Sequence, residues 1–319
     1  MKNNKKSFII IALIAIIYSG CSKDDKGNTT ATLTPREQAT KDYKDMYLTT
    51  MVSDAELAWT GNSANCAEGT ISKTAYDRSL LRLNYFRKIC GLSSNMVWNS
   101  AWHSDCQKAA LMMTSNNSLS HFPPSTWKCY TTEGYNAAGI SNIAWGSGSY
   151  HSSACIAGWV KDDGSNNAAA GHRRWILFSR AKEYGLGSTS NAAVLHCIEH
   201  TTDPLPSSAP TYVAYPPAFI PQDLVYGRWS LGIPNSTSFY SGVDFSAATV
   251  KMTDNTGADV TLSIISKTDN GYGDQTIVWE PQGIQTTMVA DIKYHVVVDN
   301  VLVNTVTKKY EYDVTIFKP

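Results

Sequence analysis

Seven cysteines and one short histidine–glutamate cluster are the residues of this 319-residue chain whose types and spacing first suggest chemistry. Six of the cysteines, Cys66, Cys90, Cys106, Cys129, Cys155 and Cys197, lie in the first two thirds of the chain. No two of them stand in a Cys-x-x-Cys spacing, which disfavours a zinc knuckle or a thioredoxin-like redox centre. In an oxidising compartment six thiols predict up to three disulfides, whose pairing the spacing leaves open. His196-Cys197-Ile198-Glu199-His200 spells H-x-x-E-H, a zinc-peptidase pattern. That pattern works only on a helix, where residues four apart converge on one ion. In a strand they start about 13 Å apart at roughly 3.3 Å per residue. The run is short, ends near Pro204 and reads as a strand, so it is not expected to hold zinc. Ser125-Thr126-Trp127-Lys128 matches S-x-x-K, but the S-D-N and K-T-G blocks that give that motif a mechanism are missing.

The seventh cysteine, Cys21, belongs to the leader. Lys2, Lys5 and Lys6 precede an apolar run from Phe8 to Tyr18. That run is too short to cross about 30 Å of hydrocarbon, which takes roughly 20 helical residues, and has the size of a signal-peptide core. It ends in Tyr18-Ser19-Gly20-Cys21, which resembles a bacterial lipobox, although Tyr18 departs from the usual aliphatic residue. The expectation is a signal peptide over 1–20, lipid on Cys21 and a polar tether over 21–33. The protein would then be exported and held to the outer membrane or cell surface by lipid. The alternative is an ordinary secreted chain with a chance cysteine at the cut. Without the three leader lysines the chain carries 24 basic and 27 acidic residues, a net charge of −3. Nucleic acid is not an expected partner, because phosphate binding needs clustered positive charge.

Two architectures are expected to position these residues. Over 34–203 the patterns are mainly helical. Thr34-Pro35-Arg36-Glu37 forms a capping box, residues 74–90 place Leu80, Leu83, Tyr85, Phe86 and Ile89 at helical steps before Gly91, and Asn99 caps a helix running to about Met113. A further helix is expected over 152–160, with strands at 141–144, 184–187 and 193–198. At Asp203-Pro204-Leu205-Pro206 the composition changes, and a semi-rigid link is expected. Over 204–319 short alternating runs at 224–231, 249–253, 260–265, 276–279, 294–298 and 310–316 read as an antiparallel β-sandwich. Trp229 and Trp279 in these runs could form a flat binding face, but such residues more often fill a core.

The first part resembles the CAP family of cysteine-rich secretory proteins, antigen 5 and pathogenesis-related proteins. The matching blocks occur in family order: Leu83-Asn84-Tyr85-Phe86-Arg87 with Gly91-Leu92, Trp98-Asn99 with Gln107, Leu119-Ser120-His121, Ser141-Asn142-Ile143-Ala144, Trp159, Gly171-His172-Arg173-Arg174, and Gly185-Leu186-Gly187. The resemblance implies an α+β chain: a three-layer α-β-α CAP sandwich followed by an immunoglobulin-like β-sandwich. It also implies a pocket, usually built from two histidines and two glutamates. Here His121 and His172 match the histidines, Ser141 with Asn142 stands at the first glutamate block, and Asp162 is the counterpart of the second. Losing the glutamate at 141 removes one anionic ligand and one candidate general base, and Ser141 beside no obvious base is a poor nucleophile.

The expected function is therefore a non-enzymatic, lipid-anchored binding module with no required cofactor, its unknown extracellular ligand being a lipid, glycan or protein. The alternative is a metal-assisted hydrolase of peptide or cell-envelope material, with zinc or a similar ion on His121 and His172.

Overall fold

The first helix, α1 (Pro35–Met46), begins as its sequence dictates. The Thr34 side chain accepts from the Glu37 N–H, and the Glu37 carboxylate accepts from the Thr34 N–H. The computed structural model describes residues 32–267 and 271–319, so the leader and Cys21 lie outside the described residues. Next come α2 (Asp54–Leu57), α3 (Lys73–Ile89) and β1 (Val97–Trp98). Asn99 caps a short 3-10 turn that leads into α4 (His103–Asn116), and Asn117 in the left-handed region (φ 47°) ends it. Then follow α5 (Thr132–Gly139), β2 (Ser141–Trp145), α6 (Ser152–Lys161), α7 (Gly171–Ile176), β3 (Glu183–Ser188) and β4 (Ala192–His196).

These strands form one sheet in the order β1-β3-β4-β2, antiparallel except for β1 with β3. Strand β4 is buried on both faces, and its period-two alternation feeds two cores. Ala192 and Val194 meet the α4 and α5 side, with Ala109, Met112, Met113 and Ala138. Ala193 and Leu195 meet the other side, with Leu83, Phe86, Ile156 and Trp159 of α3 and α6. Helix, sheet and helix thus make three layers. Gly187 sets how closely α4 lies on the sheet: a Cβ there would sit 2.2 Å from the Cys106 carbonyl carbon and the Gln107 nitrogen.

The remainder is all β: β5 (Val213–Tyr215), β6 (Phe219–Pro221), β7 (Trp229–Ile233), β8 (Val243–Asp244), β9 (Thr249–Asp254), β10 (Leu262–Ser266), β11 (Gln275–Pro281), β12 (Ile292–Val303) and β13 (Val306–Phe317). One sheet runs β10-β11-β7-β5. The other runs β6-β13-β12-β8, with β9 also on β12, and only β6 with β13 is parallel. The run at 224–231 becomes a strand only from Trp229, because 222–224 forms a 3-10 turn. Trp229 and Trp279 sit directly opposite each other and are fully buried, so they fill the core rather than offer a face.

Two expectations need correction or extension. Among the described residues only Cys66–Cys129 forms a disulfide; Cys90, Cys106, Cys155 and Cys197 are free and buried. Each sits in an apolar core, where burial raises the thiol pKa (to about 12 for Cys90 and Cys106), and behaves as a small hydrophobe. The change of architecture near Pro204 is not a gap in packing, because one continuous core spans it and residues 34–319 form a single compact unit. Helix α1 itself reaches the β region: Tyr43 donates to Asp223 at 2.9 Å, and Arg36 pairs with Asp291 and lies over the Phe317 ring. No helix among the described residues is long and apolar enough to cross a membrane.

Candidate functional site: the two-histidine cleft

Where α6 ends, Asp162 takes the left-handed conformation (φ 51°) and turns the chain toward α7. That turn points its carboxylate inward. Oδ1 lies 2.8 Å from His172 Nδ1, and Oδ2 accepts from the Arg173 N–H at 3.1 Å. A carboxylate can only accept here, so Nδ1 of His172 carries the hydrogen and Nε2 is the nitrogen left for a ligand. His121, on the loop after α4, reaches the same tautomer differently. Its Nδ1 lies 2.8 Å from the Ala138 carbonyl of α5, which again can only accept. At the start of β2, Asn142 donates to the His172 carbonyl at 2.9 Å and fixes the spacing of strand and helix. Beside it the Ser141 hydroxyl is buried and meets no hydrogen-bond partner among the described residues.

These side chains meet in one cleft of about 660 Å³. Leu119, Ser120, His121 and Phe122 line one wall, and Asn166 to Ala169 with Gly171 and His172 line the other. Gly139, Ser141, Asn142, Ile143, Trp175, Ile198 and Tyr272 complete it. His121, Ser141, Asn142 and His172 thus line a common cleft, while Asp162 does not. Its side chain, expected in the pocket, is enclosed behind the wall, where it hydrogen-bonds His172.

The His172 wall is built by arginines. Arg173 donates to the Val160 and Lys161 carbonyls at the end of α6, reaches Ser230 Oγ on β7 at 3.1 Å, and stacks over Tyr215. From the β region, Arg228 donates to the carbonyls of Asp162, Asn167 and Gly164 at 2.9, 2.7 and 2.8 Å. One guanidinium thereby holds the whole turn between α6 and α7. The role of Arg228 was not visible in the sequence, nor was that of Tyr272, whose ring lies against Gly171. Both come from beyond residue 204.

The other chemical motifs separate. His196 closes β4, stacks on Trp102 at 4.1 Å and bonds Glu199, while His200 takes a left-handed conformation and bonds Asp203. H-x-x-E-H is therefore not a helical metal pair. Ser125 to Lys128 form a turn. As for zinc in the cleft, its chemistry in enzymes uses about three protein ligands. The described lining of the cleft offers two imidazoles and no carboxylate or thiolate.

No curated protein matches the chain significantly. Residues 80–198, from within α3 to just past β4 and including all five residues expected in the pocket, match the model of CAP, the cysteine-rich secretory protein family, whose members are generally extracellular.

Proposed function

We propose that this is an exported, lipid-anchored CAP-domain protein whose cleft around His121 and His172 binds an extracellular ligand without catalysing its breakdown. One observation carries the reading: the cleft has two oriented imidazoles and a buried, unpartnered hydroxyl at Ser141, while Asp162 is spent on holding His172. Such a site can accept and donate hydrogen bonds, but no carboxylate stands among its described lining residues, so the glutamate pair implied by the resemblance has no counterpart there. The leader argues for export and for lipid on Cys21. The β region supports an immunoglobulin-like reading, because its first strand is split: β5 pairs with β7 in one sheet, and β6 pairs parallel with the last strand in the other.

The test is zinc content and turnover of peptide and cell-wall substrates by residues 22–319, beside His121→Ala/His172→Ala. Ligand binding without turnover is expected in the parent. Zinc-dependent hydrolysis abolished by His121→Ala would overturn it. That second reading, a metal-assisted hydrolase, draws on the Asp162–His172 bond, since a carboxylate behind an imidazole is how metal-binding histidines are commonly oriented. The anchor is tested separately by palmitate labelling of the exported chain, which should vanish in Cys21→Ser.

A further inference from the structure

A second groove adjoins the histidine cleft, and Trp175, Ile198 and Tyr272 line both. Its volume is about 770 Å³. Each groove alone lies within the roughly 300–1,000 Å³ of ordinary ligand sites. Sharing a wall, they suit an elongated ligand better than a compact one.

The chemistry of the second groove narrows the ligand class. None of its lining residues lies in a strand, so a peptide finds no sheet edge to join. Its charges are already engaged: Asp203 pairs with Lys182 and His200, and Arg180 donates to the Asp203 and Asn235 carbonyls and pairs with Asp274 at 3.6 Å. The two charged residues of the described lining, Asp203 and Arg180, thus already hold protein partners, and Arg180 Nη1, which makes no hydrogen bond among the described residues, is buried away from the groove. What remains is a row of hydroxyls, from Thr201 and Thr202 on one side to Ser236 and Thr237 on the other, together with two open aromatic rings. Tyr240 is 59 % exposed and Tyr272 40 % exposed. An acyl chain laid here would cover Trp175, Ile198 and Phe239 but would strip water from those hydroxyls without replacing their hydrogen bonds. A neutral sugar ring fits both features, with a C–H face to stack on tyrosine and a rim of hydroxyls to exchange hydrogen bonds.

We propose that the trough made by the two grooves binds an uncharged glycan chain, stacked on Tyr240 and Tyr272. This deepens the binding reading above and rests on it. Residues 22–319 are run through native gels containing dextran, mannan or xylan, beside phosphatidylcholine vesicles in sedimentation. Retardation by at least one polysaccharide is expected, weakened about tenfold by Tyr240→Ala or by Tyr272→Ala and kept by Tyr272→Phe. Thermal melts of each variant exclude unfolding as the cause. Equal retardation of parent and alanine variants overturns the groove as the site, and no retardation by any of the three overturns the glycan assignment. Vesicle binding without glycan binding would remove the glycan and leave the binding module standing. Turnover dependent on His121 would instead remove the non-enzymatic reading, while the gels still decide the groove.

Discussion

The two walls of the cleft are held in opposite ways. The His172 wall is over-determined by buried supports, with Asp162 behind the imidazole, Arg173 tying α7 to α6, and Arg228 reaching across from the β region to three carbonyls of one turn. The His121 wall is an exposed loop. Leu119 and Phe122 stand out into solvent, and His121 keeps one bond to Ala138. The nearest covalent restraint is Cys66–Cys129, beyond the turn that follows. A rigid wall presents fixed geometry, whereas a loosely held apolar loop can adjust to what enters. The difference teaches that orientation in this cleft comes from one side and accommodation from the other.

The sharpest way to break the contrast is Arg228→Ala. It removes four charge-assisted hydrogen bonds, to the carbonyls of Asp162, Gly164 and Asn167 and to Glu280, with an expected loss of about 3–5 kcal/mol in urea unfolding and loss of ligand binding. If stability is unchanged, the β region does not brace the cleft. Replacing both Cys66 and Cys129 by serine should cost about 2–4 kcal/mol, because the bond closes a long loop of the unfolded chain (sequence separation 63). Its effect on binding should be felt through the His121 wall. Asp162→Asn removes the charge but keeps the shape, and about 1–2 kcal/mol is expected, with the His172 ring signals broadened in NMR spectra.

Acid should weaken the fold through two histidines that lie outside the cleft. Burial lowers the pKa of His103 and His196 from the usual 6.5, and the Leu186 N–H donates to a bare His103 Nδ1. A histidine with a depressed folded pKa contributes stability that is full above its unfolded value and is lost as the pH falls below about 6.5. The melting temperature should therefore be lower at pH 5 than at pH 7.5, and His103→Gln should flatten that dependence. The smallest effect is expected for His121→Ala, within about 0.5 kcal/mol in stability, since the side chain is on an exposed loop. A clear loss of ligand affinity in a variant so little destabilised would assign His121 to the ligand.

Local rules carried much of this architecture. The capping box at Thr34, the helical steps through α3 and the alternation in β9, β11, β12 and β13 are short-range signals, and the structure contains those elements. Helices α5 and α7 escaped, being short and rich in small or charged residues with little periodicity. In the cleft the histidines could be found through motif order, but the direction of Asp162 could not. It depends on a single left-handed residue and on an amide eleven positions away. Arg228 and Tyr272 were out of reach for a different reason, because their partners lie more than sixty residues upstream. The cysteines misled because export makes disulfides possible without requiring them, and helix and strand cores can absorb thiols as they absorb alanine.

The core that runs unbroken past Pro204 bears on what counts as the inherited unit. The stretch that matches the family ends at residue 198, yet the compact unit extends from Thr34 to Pro319. Cutting between them would bare the Tyr215 ring and leave the Arg173 guanidinium without its stacking partner and its bond to Ser230. Neither half could then be exchanged for that of a cousin without redesigning the seam. Substitutions along that seam should come in pairs, one on each side, and recombination at the apparent boundary should be selected against.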